Sequence, residues 1–234
     1  MRLQFYAYRY ADAVLEHQHF RKANRQILKI LEGAPVPLLN ADNLNSRTGG
    51  VKRRERTKRC AFFPIDQKAL NRHLDREFDK VKWQLQPLVV SKDRTDGPET
   101  GLKADYKLGK LQVEVQFGNM ARWYTDVFKF QLSYSLGEVD VGVLVVPMLQ
   151  FANLIDENVA NFERVIRELP WAKMSLTLPI LVVGIEPKNY SEIEKCYNRA
   201  ATKYVESKQS EGKTIIPIPF RERIHQVDLP DLNE

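Results

Sequence analysis

The residues best placed to do chemistry lie between 102 and 117, in the run Leu-Lys-Ala-Asp-Tyr-Lys-Leu-Gly-Lys-Leu-Gln-Val-Glu-Val-Gln-Phe. Gly109-Lys110 suits a two-residue hairpin loop with glycine first, where the backbone needs a positive φ. Pairing outward from that loop sets Leu108 opposite Leu111, Lys107 opposite Gln112, Tyr106 opposite Val113 and Asp105 opposite Glu114. Successive side chains of a strand point to opposite faces. One face of the hairpin then holds only apolar groups, Leu102, Ala104, Tyr106 and Leu108 facing Leu111, Val113, Val115 and Phe117. The other holds Lys103, Asp105 and Lys107 facing Gln112, Glu114 and Gln116. The turn alone chose the register, and the clean separation of faces supports it independently.

Two carboxylates opposed in this way have Cβ atoms about 4.5–5.5 Å apart, and their repulsion needs an offset. Two readings are open. Lys103 and Lys107 could neutralise a charged ladder facing solvent. Alternatively, the pair holds a hard divalent cation together with water, the manner of magnesium, with Gln116 in reach on the same face. Such a cation would bind a phosphate oxygen, acidify water and stabilise charge developing in the transition state. On DNA that chemistry is phosphodiester hydrolysis.

The other reactive side chains offer less. His17 and His19 are two apart, whereas one helix face needs a spacing of three or four. His73 and His225 are isolated. Cys60 follows Lys58 and Arg59, which could lower its pKa, yet no partner base is evident. Trp123-Tyr124 could stack on bases but suits packing of a helix on a sheet.

The elements that must position the hairpin follow from periodicity. Residues 12–32 predict one helix, with Phe20, Ala23, Ile27, Leu28 and Leu31 at helical spacing and Gly33 as a stop. Residues 40–59 read as a loop that turns basic through Arg47, Lys52, Arg53, Arg54, Arg56, Lys58 and Arg59. It is either a solvated loop or an arm for a nucleic-acid backbone. Asp66 is a candidate N-cap for a helix with Leu70, Leu74 and Phe78 on its apolar stripe. Residues 92–100 form a polar loop. After the hairpin come a helix over 122–135, a valine-rich buried strand over 139–146 and a helix over 151–169. A second buried strand over 178–185 and a helix to about 207 capped by Ser191 follow. An extended tail covers 213–234. Buried strands alternating with helices predict an α/β fold, a central mixed sheet with helices on both faces.

Composition narrows the class. The chain has 234 residues, enough for one domain with a real core, and its 43% hydrophobic and 28% charged shares exclude wholesale disorder. Lys plus Arg number 36 against 30 Asp plus Glu, a net +6 that leans toward a polyanionic partner. Two cysteines make neither a disulfide framework nor a zinc site, which fits a reducing cytoplasm. No signal peptide or membrane span is expected.

At the hairpin the sequence also resembles a known family. Asp105 followed, nine positions on, by Glu114-Val115-Gln116 is similar to the active site of BglII-like and BstYI-like type II restriction endonucleases. That branch of the PD-(D/E)XK nuclease class has Gln where most members have Lys two places after the Glu. Val113-Glu114-Val115-Gln116-Phe117 is similar to the branch's strand. Val139-Asp140-Val141-Gly142-Val143 with Val146-Pro147-Met148, and Leu181-Val182-Val183-Gly184-Ile185-Glu186-Pro187, resemble its next two core strands. The opening helix, Ala11-Asp12 through Ile27-Leu28, is also similar to the family's.

The resemblance implies a restriction-endonuclease-like core and specific roles. Asp105, Glu114 and the main-chain carbonyl of Val115 would bind Mg2+. Gln116 would position the attacking water, Asn71 would lie near the site, and Asn119 would read bases unless it merely caps the helix starting near Ala121. Arg53 and Arg54 as a DNA arm are an inference from charge, not from the family. The expectation is a prokaryotic, cytoplasmic, homodimeric type II enzyme of a restriction-modification system. It would cut a short palindrome in double-stranded DNA, with a GATC centre as the family leans. Its rivals are a repair or structure-specific nuclease of the same fold and a basic DNA-binding protein without activity.

Overall fold

A computed structural model describes residues 1–40, 51–54, 59–91, 101–172 and 175–225, with the backbone alone for 51–54. The described strands are β1 (Arg2–Tyr8), β2 (Val51–Arg54), β3 (Arg59–Phe62), β4 (Gln84–Leu85), β5 (Tyr106–Leu108), β6 (Leu111–Val115), β7 (Val141–Pro147), β8 (Ile180–Glu186) and β9 (Ile216–Pro217). The described helices are α1 (Ala11–Glu16), α2 (Gln18–Gly33), α3 (Gln67–Lys80), α4 (Arg122–Ser135), α5 (Leu149–Ile155), α6 (Phe162–Glu168), α7 (Ser191–Ser210) and α8 (Phe220–Ile224).

Six strands form a mixed sheet in the order β1-β8-β7-β6-β5-β4. The central strands β6, β7 and β8 run parallel, while β1, β5 and β4 are antiparallel to their neighbours. β7 and β8 are buried along their whole length, as expected of strands covered on both faces. Val141, Val143 and Val145 of β7 share a core with α1, α2, α3, α5 and α7, whereas Leu144 and Val146 pack with α4 and α6. The expected α/β architecture, a mixed sheet between two helical layers, is therefore what the chain adopts.

Glycine seats one of those layers. A Cβ on Gly142 would lie 2.9–3.0 Å from three ring atoms of Phe130. The bare backbone lets α4 rest directly on β7. Gly142→Ala is expected to destabilise the protein by about 1–3 kcal/mol through overpacking, read as a lower midpoint in urea unfolding. A midpoint equal to the parent's would mean that Phe130 has room to move.

Several boundaries differ from the sequence reading. The predicted helix over 12–32 is two helices, because His17 leaves helical geometry at ψ 144 and its ring accepts the His19 N–H to cap α2. The apolar stretch over 151–169 is also two helices, with the chain between them paired to the turn that follows β6. Asn119 bridges Val159, and Met120 N–H donates to Asn158 O. The basic stretch over 40–59 is not all loop, since β2 pairs with β3, and β3 pairs with β9 from the C-terminal segment. That segment contains α8 and so is not simply extended. The N-cap of α7 is Tyr190, not Ser191, and Asn189 before it accepts from both the N–H and the hydroxyl of Ser191. β1 has no counterpart in the sequence reading. Expectations that fell on 41–50, 55–58, 92–100 and 226–234 lie outside the described residues.

Candidate active site

The hairpin has the register read from its turn: Leu108 opposite Leu111, Lys107 opposite Gln112 and Tyr106 opposite Val113. Gly109 takes the positive φ the loop requires, +57°. The ladder stops one residue short of Asp105, whose carboxylate instead accepts the Val115 N–H at 2.7 Å. α3 braces the hairpin from the apolar side. Tyr106 stacks on Phe78 at 4.0 Å and its hydroxyl donates to Asp75 at 2.8 Å.

The half of the polar face carried by Gln112, Glu114 and Gln116 does not face water. Gln112 and Glu114 are 0% exposed and Gln116 is 7% exposed. The solvent-facing ladder is thereby excluded, and the cover is α4. Its apolar stripe of Trp123, Val127 and Phe130 sits on the sheet, with Asp126 at an inward position of the same stripe and buried. Lys129, one turn further, reaches Glu114 at 2.7 Å and Asp126 at 2.9 Å. Sequence reasoning missed both groups. The available signal was Asp126, a charge at an inward position of a helix stripe.

Most polar ends in the cluster are engaged, though the buried Gln112 Oε1 has no hydrogen-bond partner among the described residues. Gln112 donates to Glu114 Oε1 at 2.7 Å, so both oxygens of that carboxylate are engaged. Gln116 donates to Asp126 at 2.9 Å and accepts the Gly118 N–H at 2.9 Å. A Cβ on Gly118 would come within 3.1 Å of the Gln116 oxygen, so a glycine there suits the close turn.

The charges do not balance. Asp105, Glu114 and Asp126 face one ammonium, leaving a net excess of negative charge when all are ionised. Burial raises the Asp105 carboxyl above its ordinary range, against the Val115 N–H and Lys129. Burial and then Asp105 push Glu114 up to about 8 although Lys129 opposes them. Burial works against the Lys129 ammonium, but Glu114 and Asp126 outweigh it and hold the group charged beyond its usual range. Low-dielectric surroundings make such unpaired charge costly, and a cation relieves it.

Asp105, Val115, Gln116, Asn71, Asp126 and Lys129 line one cavity of about 400 Å³. Asn71, on α3, is one of these lining residues, and its buried Oδ1 has no hydrogen-bond partner among the described residues. Among the described residues no three His, Cys, Asp or Glu side chains form a ready metal cage. Asp105 on a cavity of this size, with Glu114 beside it, nevertheless fits magnesium, which keeps much of its water and shares its site with substrate phosphate. The all-oxygen donors argue against a softer metal.

Asn119 is exposed in the turn before α4, whose N-cap is Ala121 with no side-chain cap bond, and its Oδ1 accepts the Ala121 N–H at 2.8 Å. Arg53 and Arg54 lie on β2, opposite Cys60 and Arg59. Trp123 is buried and Tyr124 half exposed, as helix packing requires. Burial pushes the Cys60 thiol up to about 11, the reverse of activation by its basic neighbours.

The family model of restriction endonuclease BglII/BglIII matches residues 3–185. Among solved structures, the chain is similar to restriction endonuclease BglII complexed with a DNA 16-mer. The TM-score is 0.59 and the identity 18%, over 80% of this chain and 79% of that one. It is also similar to free BglII, with a TM-score of 0.54 and 16% identity over 80% and 81% of the two chains. No curated protein matches it significantly in sequence.

Proposed function

The chain belongs to the BglII/BglIII restriction endonuclease family, and on that premise we propose that it is a type II enzyme cutting double-stranded DNA with Mg2+ at Asp105 and Glu114. The observation that carries the proposal is the Asp105 carboxylate lining a cavity next to the fully buried Glu114, with Lys129 the one ammonium bonded to Glu114 among the described residues.

Asp105, Glu114 and the main-chain carbonyl of Val115 would hold the metal. When bound, magnesium supplies Lewis acidity toward a phosphate oxygen and acidifies water. The protein's own residues do the rest. Gln112 fixes the rotation of the Glu114 carboxylate, and the Val115 N–H does the same for Asp105. Gln116 orients the attacking water, itself braced by Asp126 and Gly118. Asn71 offers its unpartnered oxygen to water or substrate in the same cavity. With neutral Gln at position 116, this residue adds no positive charge to the site.

Asn119 reads a base edge, with adenine as the natural partner of an asparagine amide, while Arg53 and Arg54 contact the phosphate backbone. The enzyme acts as a homodimer, because a twofold protein matches a twofold site, and that palindrome has a GATC centre. The enzyme acts in the cytoplasm as part of a restriction-modification system; among the described residues no helix is long and apolar enough to cross a membrane.

The test is a digest of plasmid and phage DNA with Mg2+, beside a chelator control. Discrete fragments that map to one palindrome and vanish with the chelator are expected. Cutting of nicked or branched DNA in preference to intact duplex would replace this reading with a structure-specific nuclease. Duplex binding without cutting under any metal would replace it with a non-enzymatic one.

A further inference from the structure

Lys129 is the sole ammonium bonded to the candidate metal ligands among the described residues, and it has two partners. Glu114 Oε2 lies at 2.7 Å and Asp126 Oδ1 at 2.9 Å, with the lysine side chain only 14% exposed. Its partners differ in position. Glu114 projects from β6 beside Asp105, whereas Asp126 belongs to the same helix as Lys129, one turn before it. Asp126 is fixed on its other oxygen by the Gln116 amide. The bond to Asp126 is therefore local and held from both sides, while the bond to Glu114 spans from helix to sheet.

From this geometry we propose that Lys129 is a positioning residue that competes with the divalent cation for Glu114, and that Asp126 holds the ammonium when Glu114 is given over to metal. The inference rests on the reading of Asp105 and Glu114 as a metal site. A lysine so placed solves a folding problem. Without a cation, buried carboxylates with no counter-charge are strongly unfavourable, and Lys129 supplies one positive charge on Glu114. It also sets a threshold, since the metal must displace a preformed ion pair to engage that oxygen. Asp126 lowers the threshold by giving the displaced ammonium a partner already in contact. Asp126 thus acts on the metal through Lys129, which separates it from a direct ligand.

The consequences carry opposite signs. Lys129→Met removes the competitor and is expected to tighten Mn2+ binding by about tenfold. Asp126→Asn leaves Lys129 with Glu114 as its charged partner and is expected to weaken Mn2+ binding by about fivefold. In the double variant the Asp126→Asn effect is expected to disappear, so that its affinity equals that of Lys129→Met alone. Lys129→Arg, which retains the charge, is expected to stay within about threefold of the parent.

Calorimetric titration of the full-length, DNA-free protein with Mn2+ measures all four variants against the parent. Thermal unfolding of the metal-free variants checks that each is folded, and Asp126→Asn and Lys129→Arg serve if Lys129→Met is not. The half-saturating Mg2+ concentration for plasmid cleavage is expected to fall where Mn2+ binding tightens and to rise where it weakens. Unchanged Mn2+ affinity in folded Lys129→Met or Asp126→Asn would overturn the inference and leave the metal site standing. Strict additivity in the double variant would overturn the role of Asp126 as the holder of Lys129. A parent protein that binds Mn2+ but does not cut would sink the proposed activity alone. A parent that binds no Mn2+, with or without duplex, would sink both.

Discussion

Replacing Glu114 by alanine is expected to lower the DNA cleavage rate by about a thousandfold or more, with duplex affinity within about threefold of the parent. The loss is large because Glu114 stands at the centre of the cluster. Its oxygens tie Gln112 to Lys129, and its charge is the one a divalent cation would meet beside Asp105. Removing one partner of a buried ion pair ordinarily costs about 3–5 kcal/mol because the other charge is stranded. Here Lys129 keeps Asp126 at 2.9 Å, and a carboxylate raised by burial is itself a source of instability. The variant is therefore expected to fold at least as well as the parent. Duplex binding is expected to survive because the substitution removes a negative charge that would face the phosphates. The measurement pairs single-turnover cleavage with gel-shift titration on the mapped site. Cutting within tenfold of the parent would show that Glu114 has a structural role and that the reaction centre lies elsewhere.

How much of this was legible beforehand depended on whether the determining contacts are local. The hairpin was readable because a glycine turn and strict alternation fix a register within a dozen residues. α3 was readable from Asp66, whose carboxylate accepts the Ala69 N–H at 2.9 Å, and from Leu70, Leu74 and Phe78. The fate of the polar face was not. Gln112, Glu114 and Gln116 look like a solvent face because alternation says which residues lie together, not what covers them. The cover arrives from α4, through Asp126 and Lys129, whose bonds to Gln116 and Glu114 form only once helix and sheet have docked. The break between α5 and α6 failed for a similar reason. Leu154, Ile155, Val159 and Phe162 keep helical spacing through it, but backbone bonds from Asn158 and Ala160 to the turn after β6 prevail over the local pattern. β1 was missed because most of its residues are not fully buried, so its pattern lacks a clear apolar face. The split at His17 lacks any glycine or proline to announce it.

The metal-free protein is expected to lose stability as pH rises from about 5 to about 8, and Mg2+ is expected to restore it. The sign follows from Glu114, whose carboxyl is raised to about 8 in the folded state by burial and by Asp105. In the unfolded chain it titrates near about 4.3. Between those values the folded state binds more protons than the unfolded one, so unfolding becomes easier as protons are withdrawn. Asp105 is shifted in the same direction by burial and adds to the slope. Lys129 does not reverse it. Its raised pKa contributes stability that is fully present below its ordinary value and is lost only at more alkaline pH, so it is constant across this window. The lowered carboxyls Glu77, Glu211 and Glu222 are surface groups whose contribution falls away under more acidic conditions. The expected loss is on the order of 3 kcal/mol across the window, visible as a falling unfolding midpoint at pH 5, 6, 7 and 8 with chelator. Glu114→Gln, which cannot ionise, is expected to flatten most of the slope. Saturating Mg2+ is expected to flatten it in the parent, since a cation that binds the folded state alone stabilises it by mass action. Parallel slopes in parent and Glu114→Gln would place the pH dependence outside this site, and the argument that unneutralised buried charge calls for a metal would fall with it.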